Sequence, residues 1–200
     1  QLANRILSSE ALISSGKMRV GDLDANDAQR LVNTMEHISS ANIYIDDTPG
    51  ITIAEIRAKC RRLSLKGQLD MIVIDYLQLM GSTGRVESRQ QEVSQISRSL
   101  KALARELDIP IIALSQLSRS VEQGQEKKRG LSHLRESGSL EQDADIVMFI
   151  YRDEYYNENS EKKGQAEIII AKHRNGATGS VDLSFRKEFT KFGNLSRMPE

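Results

Sequence analysis

The sequence is poor in cysteine, in surplus charge and in long apolar runs, and each shortage excludes a class of protein. Cys60 is the single cysteine among 200 residues, so an intrachain disulfide is excluded, which fits a reducing cytosol. The 28 basic and 28 acidic residues give a formal net charge of +0, which excludes a generally cationic coat for nucleic acid. No apolar stretch approaches about 18 residues, the length of a membrane span, and no signal-peptide pattern opens the sequence. We therefore expect a cytoplasmic protein without membrane contact.

The apolar residues that are present suffice for one core. With 38% hydrophobic residues in 200, we expect a single domain over residues 1–200. Strand and helix patterns alternate between residues 43 and 114, which predicts a mostly parallel sheet with right-handed crossovers and flanking helices. The later strands and the Asn175-Gly176 turn predict an antiparallel hairpin extension. Strands are predicted at 43–46, 71–75, 110–114, 144–151, 167–172 and 180–185, and helices at about 1–13, 24–40, 52–63 and 88–107.

Several of these helices carry sequence signals for their first turn. Asp24 is a capping residue for the helix that follows it. Thr52 and Glu55 form a capping box, and Ser88 with Gln91 starts the long helix in the same way. These helix starts are therefore predicted more sharply than the helix ends.

The apolar run at 71–74 ends abruptly in a carboxylate, Asp75. A run that is apolar on both faces fits a central strand of a parallel sheet, covered by helices above and below. Asp75 then lies at the carboxyl end of the strand, the edge at which open α/β sheets bind ligands. In that position it would hold a hydrated Mg²⁺ beside nucleotide phosphates. The alternative is a buried strand whose last residue caps the next turn.

A second polar residue, Gln116, follows the next apolar strand in the same way. The two side chains should emerge at the same edge of the sheet. A neutral amide can donate to a γ-phosphate or to an attacking water without adding charge, and can report whether the phosphate is present. The alternative is a hydrogen-bonded loop glutamine, and the pairing with Asp75 favours the functional interpretation.

Four segments in this order resemble the carboxyl-terminal motor domain of bacterial replicative DNA helicases of the DnaB family. The resemblance covers nearly the whole chain. It implies a RecA-like α/β fold in a homo-hexameric ring that hydrolyses ATP with Mg²⁺, moves 5′ to 3′ on single-stranded DNA and unwinds the duplex at the replication fork. It also implies primase and a helicase loader as partners. The segments are IDYLQL at 74–79, ALSQLSR at 113–119, RESGSLEQDAD at 135–145 and KHRNG at 172–176.

The resemblance assigns Lys172 and Arg174 to the γ-phosphate of the neighbouring subunit's ATP. Spaced by two at a strand end, the two side chains point the same way. An arginine supplied in trans neutralises charge that develops in the transition state. The alternative is a solvated basic hairpin. His173 points the other way and is expected to be a surface or packing residue, because no metal-ligand spacing accompanies it.

DNA contact is expected from two loops that face the ring channel, at 81–89 and 118–138. They contain basic residues but no Phe, Tyr or Trp, so we do not expect aromatic base stacking. Phosphate contacts remain, and these read no sequence. The resemblance assigns the backbone grip to Arg135, Glu136 and Gly138.

The phosphate-cradling pattern G-x-x-x-x-G-K-[ST] occurs nowhere, since Gly16-Lys17 is followed by Met and lacks the first Gly. We expect the first strand and the phosphate loop to lie upstream in a longer chain, so that this part alone is inactive. One alternative is a ring-assembly or partner-docking module without its own ATPase activity. Another RecA-like ATPase is a further alternative, but it would not explain 135–145 together with Lys172 and Arg174.

Overall fold

The computed structural model describes residues 2–81, 88–117 and 138–195. Helices and strands alternate through the first half, and strands dominate the second. Across these ranges no helix combines the length and the apolar character needed to cross a membrane. The elements are α1 Leu2–Ala11, α2 Ser15–Val20, α3 Ala25–Ser39, α4 Ile53–Ser64, β1 Ile72–Ile74, a 3-10 helix Leu77–Leu79, α5 Arg89–Leu107, β2 Ile111–Ala113, α6 Gly138–Asp143, β3 Ile146–Tyr151, α7 Asp153–Tyr156, β4 Gln165–His173, β5 Gly179–Arg186 and β6 Lys191–Asn194.

Two sheets are described. In the first, β1 and β2 run parallel, with Ile72 opposite Ile111. The second has the strand order β3-β4-β5-β6, and its last pair is antiparallel, with Phe185 opposite Phe192. The predicted combination of a parallel sheet, helices and an antiparallel β-rich extension is confirmed.

The chain divides into two compact units. Unit 1 comprises 1–44, 150–169 and 180–200, and unit 2 comprises 45–149 and 170–179. The candidate residues Asp75, Gln116, Lys172 and Arg174 all belong to unit 2. The single domain over 1–200 stays a prediction.

The core of unit 2 lies where α4 and α5 pack beside β1. Leu103 on α5 is fully buried, and Leu77 of the 3-10 helix is nearly so. Cys60 on α4 is a buried core residue, as predicted, and burial raises the pKa of its thiol. Burying a side chain of leucine size stabilises the fold by roughly 1.5–3 kcal/mol. The buried cluster comprises Ile56, Cys60, Ile72, Leu77, Met80, Ile96, Leu100 and Leu103.

Unit 1 is held by small polar and aromatic contacts around α1 and β5. The Ser8 hydroxyl donates to the Ile13 carbonyl at 2.6 Å, which ties the end of α1 to the following turn. Around β5, the Arg152 guanidinium carbon lies 3.9 Å from the centre of the Phe185 ring. Tyr151 donates to Asp153 at 2.8 Å, and burial followed by this hydrogen bond raises the pKa of Tyr151 to about 12.

The predicted helix starts are confirmed. The Asp24 carboxylate accepts from the Asp27 N–H at 2.7 Å, and the reciprocal bonds of the Thr52 and Glu55 capping box are both present. The Ser88 hydroxyl accepts from the next turn of α5 at 3.2 Å. Side-chain oxygens at these positions satisfy N–H groups that the helix leaves free.

Two strand predictions are corrected. Residues 43–46 form no strand, and Ile43, Tyr44 and Ile45 are exposed, because a strand needs a hydrogen-bonded neighbour and the described chain offers none there. On β1, Ile72 is buried but Val73 is 61% exposed. Helices of unit 2 therefore cover one face of β1, whereas the sequence predicted both.

Candidate functional site

The parallel register of β1 and β2 brings Asp75 and Gln116 to one edge of the sheet. Ile74 lies opposite Ala113 at the ends of the two strands. One step further, the Leu114 N–H donates to the Ile74 carbonyl at 2.9 Å, so the two backbones remain paired beyond the strands. Asp75 directly follows β1, and Gln116 follows β2 after two residues, Leu114 and Ser115.

Both side chains are available for a ligand. Asp75 and Gln116 are exposed, and within the described ranges neither side chain has a hydrogen-bond or ion-pair partner. The peptide bond that follows Asp75 is cis. Among the described residues no cluster of three or more His, Cys, Asp or Glu side chains could hold a metal. One carboxylate nevertheless fits Mg²⁺, which keeps several waters and takes its other ligands from substrate phosphates.

The side chain of Gln78, in the 3-10 helix after β1, binds the backbone of Gln116. Its Nε2 donates to the Gln116 carbonyl at 3.1 Å and to the Ser115 hydroxyl at 3.0 Å. Its Oε1 accepts from the Gln116 N–H at 3.3 Å. The Gln78 amide therefore satisfies the donor and the acceptor of a single residue, as a neighbouring strand would.

Lys172, on β4, reaches the carboxyl end of α6. Its Nζ donates to the Glu141 carbonyl at 2.5 Å and to the Gln142 carbonyl at 3.3 Å. A helix leaves its last carbonyls without partners inside the helix, and the helix dipole favours a cation there. Lys172 thus acts as a C-terminal cap of α6 within this chain.

Arg174, at the start of the turn after β4, pairs with Asp145. Its Nη1 lies 3.5 Å from Asp145 Oδ1, and its backbone N–H donates to the Asp145 carbonyl at 2.9 Å. Lys101 on α5 binds the same carboxylate. The hydrogen bond from Lys101 is the main cause that holds the pKa of Asp145 below its ordinary value, and the charge of Arg174 adds to it. The Arg174 side chain remains 48% exposed.

His173 lies against the turn that follows β4. A Cβ added at Gly176 would come within 2.8 Å of the His173 ring, so the ring packs directly under that glycine. The Nδ1 of His173 is buried and has no hydrogen-bond partner within the described residues. Its predicted role as a packing residue is consistent with this geometry.

Residues 1–194 match the family model of the DnaB-like helicase C terminal domain. The chain belongs to this family. It is 60% identical over 198 residues to the replicative DNA helicase DnaB of Geobacillus stearothermophilus and 57% identical over 198 residues to the replicative DNA helicase DnaC of Bacillus subtilis strain 168. These matches cover 98% of this chain and 44% of each relative, so the chain spans less than half the length of the curated relatives it matches.

Solved structures of DnaB-like proteins share the fold. One of them, an ATPase domain, superposes with a TM-score of 0.91 at 46% identity, over 96% of this chain and 69% of that one. A DnaB-like replicative helicase, whose structure was described with its interactions with primase, gives a TM-score of 0.92 at 46% identity, over 96% of this chain and 48% of that one. The DnaB-like helicase fold that the sequence resemblance implied is therefore confirmed.

The DNA-contact predictions for this DnaB-like domain fall mostly outside the described residues. Arg135 and Glu136 lie between 118 and 137, which the structure does not describe, and Gly138 is the first residue of α6. Arg89, from the other predicted loop, begins α5 and binds the Gln78 carbonyl and the Glu92 carboxylate.

Sequence reasoning missed two residues that hold the site together, Gln78 and Asp145. Gln78 lies inside the IDYLQL segment, but a glutamine after a strand has no pattern that announces a backbone partner 38 positions later. Asp145 closes the RESGSLEQDAD segment, and only its motif membership marked it. Both contacts are tertiary, which explains why the periodicity of the sequence does not reveal them.

Proposed function

We propose that this chain is the motor part of a replicative DNA helicase, which uses ATP and Mg²⁺ to move 5′ to 3′ on single-stranded DNA and to separate the duplex at the replication fork. The observation that carries the proposal is the meeting of Asp75 and Gln116, without side-chain partners in the described chain, at the carboxyl edge of a parallel sheet. Ligands of α/β sheets bind at this edge. Membership of the DnaB-like family supports the nucleotide and the DNA as those ligands.

Asp75 would hold the metal, and Gln116 would contact the γ-phosphate or the attacking water. Mg²⁺, when bound, supplies neutralisation of the charge on the β- and γ-phosphates. Asp75 offers a carboxylate that can orient metal-bound water, and Gln116 offers a neutral donor that adds no charge. The exposure of both side chains leaves room for a nucleotide held mainly by a phosphate loop elsewhere in the intact protein.

Lys172 and Arg174 would act on the ATP of the neighbouring subunit in a homo-hexameric ring. The Lys172 ammonium is bound by two carbonyls of α6, and the half-exposed Arg174 by Asp145. Each cation therefore has an in-chain partner that a γ-phosphate would replace. An arginine in trans contributes about 10³–10⁵ in rate in related phosphoryl transfer.

Single-stranded DNA would be gripped through its phosphates by Arg135, Glu136 and Gly138. Gly138 begins α6, and Lys172 caps the last carbonyls of the same six-residue helix. A shift of α6 on DNA binding would therefore change the partners of Lys172. This short connection supports a motor in which DNA contact and hydrolysis in the next subunit are coupled.

The remaining parts of the proposal concern the intact protein. We infer that residues 1–200 belong to one RecA-like motor domain in a cytoplasmic protein. Primase is the inferred partner because the related DnaB-like helicase was described with its interactions with primase. A helicase loader is inferred from the family resemblance.

The test is Asp75→Asn in the intact parent protein. The change keeps the shape of the side chain and removes the charge beside the metal, so ATP hydrolysis should be abolished while the thermal unfolding temperature is unchanged. The matched control is Asp70→Asn, because Asp70 is an exposed carboxylate just before β1 rather than after it. A folded Asp75→Asn protein with a steady-state ATPase rate near wild type would contradict the metal role.

A further inference from the structure

Backbone pairing between β1 and β2 cannot continue to Gln116 by the usual ladder. The last backbone bond between the two segments is the Leu77 N–H donating to the Leu114 carbonyl at 2.9 Å. After that point the chain turns into the 3-10 helix, whose Met80 N–H donates to the Leu77 carbonyl at 3.1 Å. Backbone groups of the 3-10 helix therefore bond within that helix, and Ser115 and Gln116 lose their strand neighbour.

The Gln78 side chain takes over where the backbone ladder stops. Its planar amide carries a donor and an acceptor with the spacing of a peptide group. The donor and the acceptor bind the carbonyl and the N–H of Gln116 at 3.1 and 3.3 Å. A second donation, to the Ser115 hydroxyl at 3.0 Å, fixes the rotation of the amide.

The base of the Gln78 side chain is anchored from two directions. Its neighbour Leu77 is 2% exposed, and Met80 is 4% exposed, so the 3-10 helix is locked into the core of unit 2. The guanidinium of Arg89, at the first turn of α5, binds the Gln78 carbonyl. A short side chain on a fixed backbone is a rigid support, because few rotatable bonds separate it from the core.

We propose that Gln78 is a positioning residue, which fixes the backbone from which the Gln116 amide reaches the γ-phosphate. This inference rests on the proposed function, because it gives Gln116 the phosphate-contacting role. Gln78 itself touches neither nucleotide nor metal in this scheme. Its contribution is to hold Gln116 at a set distance from Asp75, at the start of the same β1 to α5 connection.

The experiment is a double-mutant cycle in the intact parent protein, with steady-state kcat and KM for ATP in the presence of single-stranded DNA. Gln78→Ala should lower kcat by up to about 100-fold, the scale of a misplacement near 1 Å, with little change in KM. Gln116→Ala should lower kcat at least as much. The double variant should be no slower than Gln116→Ala, because Gln78 acts only through Gln116.

A conservative variant and a surface control complete the design. Gln78→Glu keeps the volume and the acceptor but loses both donors, so it should lower kcat as well. Gln68→Ala changes an exposed glutamine in the turn before β1 and should leave kcat and KM as in wild type. Thermal unfolding of each protein separates loss of fold from loss of positioning.

The outcomes distinguish this inference from the proposed function. If Gln116→Ala lowers kcat but Gln78→Ala and Gln78→Glu do not, the positioning role is overturned while the proposed function stands. If Gln78→Ala lowers kcat by the same factor with and without Gln116, its effect is structural and the positioning role is again overturned. If Gln116→Ala leaves kcat unchanged in a folded protein, the proposed role of Gln116 fails and the positioning role fails with it.

Discussion

At the scale of single residues, a buried carboxylate in unit 1 shows how the fold treats charge. The Asp27 side chain is 3% exposed and lies between Lys17 Nζ at 2.9 Å and the Arg30 guanidinium at 2.5 Å. A carboxylate removed from water needs such partners. The hydrogen bond from Lys17 is the main cause that lowers the pKa of Asp27 below its ordinary value, and that from Arg30 contributes.

The sign of this shift gives a prediction for stability against pH. Because the folded state holds Asp27 ionised, its contribution is fully present above the ordinary carboxyl pKa and is lost as pH falls through the lowered folded value. Asp27→Asn should therefore unfold at a lower temperature than wild type at pH 7, and the difference should shrink in acid. Thermal unfolding from pH 7 downwards measures it.

The control for this prediction is Asp22→Asn, which changes an exposed aspartate near the same helix. It should leave the unfolding temperature unchanged across the series. A deficit of Asp27→Asn that is as large in acid as at pH 7 would show that Asp27 acts by shape rather than by charge.

At the scale of elements, α4 depends on its first turn. The Thr52 N–H and hydroxyl both lie 2.8 Å from Glu55 Oε2, and the Glu55 N–H donates to the Thr52 hydroxyl at 3.4 Å. The helix then packs Ile56 and Cys60 into the core. Local capping and tertiary packing therefore support the same helix.

Removing the cap should weaken the protein without touching the site. Thr52→Ala should lower the free energy of unfolding by about 1 kcal/mol, since loss of an N-cap side chain costs roughly 0.5–2 kcal/mol. Chemical denaturation measures this difference. Thr52→Ser retains the hydroxyl and should stay close to wild type, so an equal loss in both variants would contradict the capping explanation.

The same element scale shows what the sequence could predict. The starts of α3, α4 and α5 depend on residues two or three positions apart, which any reader of the sequence can see. Likewise β1 and β2 were predicted because apolar runs mark them. The error at 43–46 has the opposite cause, because β-branched and aromatic residues favour a strand but only a neighbour completes one.

The candidate site divides along the same line. Asp75 and Gln116 were predicted to meet because parallel strands end at one edge, which is a rule of topology. The partners of Lys172 and Arg174 were not, since α6 and Asp145 lie about 30 positions earlier and no local pattern relates them. Short elements such as α6 and β6 escaped prediction because they are too brief for a periodic signal.

At the scale of the whole molecule, the proposal makes each ATP site shared between subunits. The half-exposed Arg174 is held by an exposed carboxylate, a pairing weak enough to exchange for a phosphate. Charge-assisted bonds to phosphate are stronger and often bidentate for arginine. Activity would therefore belong to interfaces rather than to single chains, and mixtures of inactive subunits can test this.

Arg174→Ala subunits of the intact protein should bind ATP and assemble, yet fail to stimulate hydrolysis in the neighbour they face. Mixed with subunits that lack a phosphate-loop lysine, they should recover part of the ATPase rate, because some mixed interfaces join an intact phosphate loop to an intact Arg174. Neither parent ring has such an interface. The control is Arg186→Ala, an exposed arginine on β5, which should be as active as wild type alone. Mixed rings that exchange subunits but hydrolyse ATP no faster than either parent would contradict the action of Arg174 in trans.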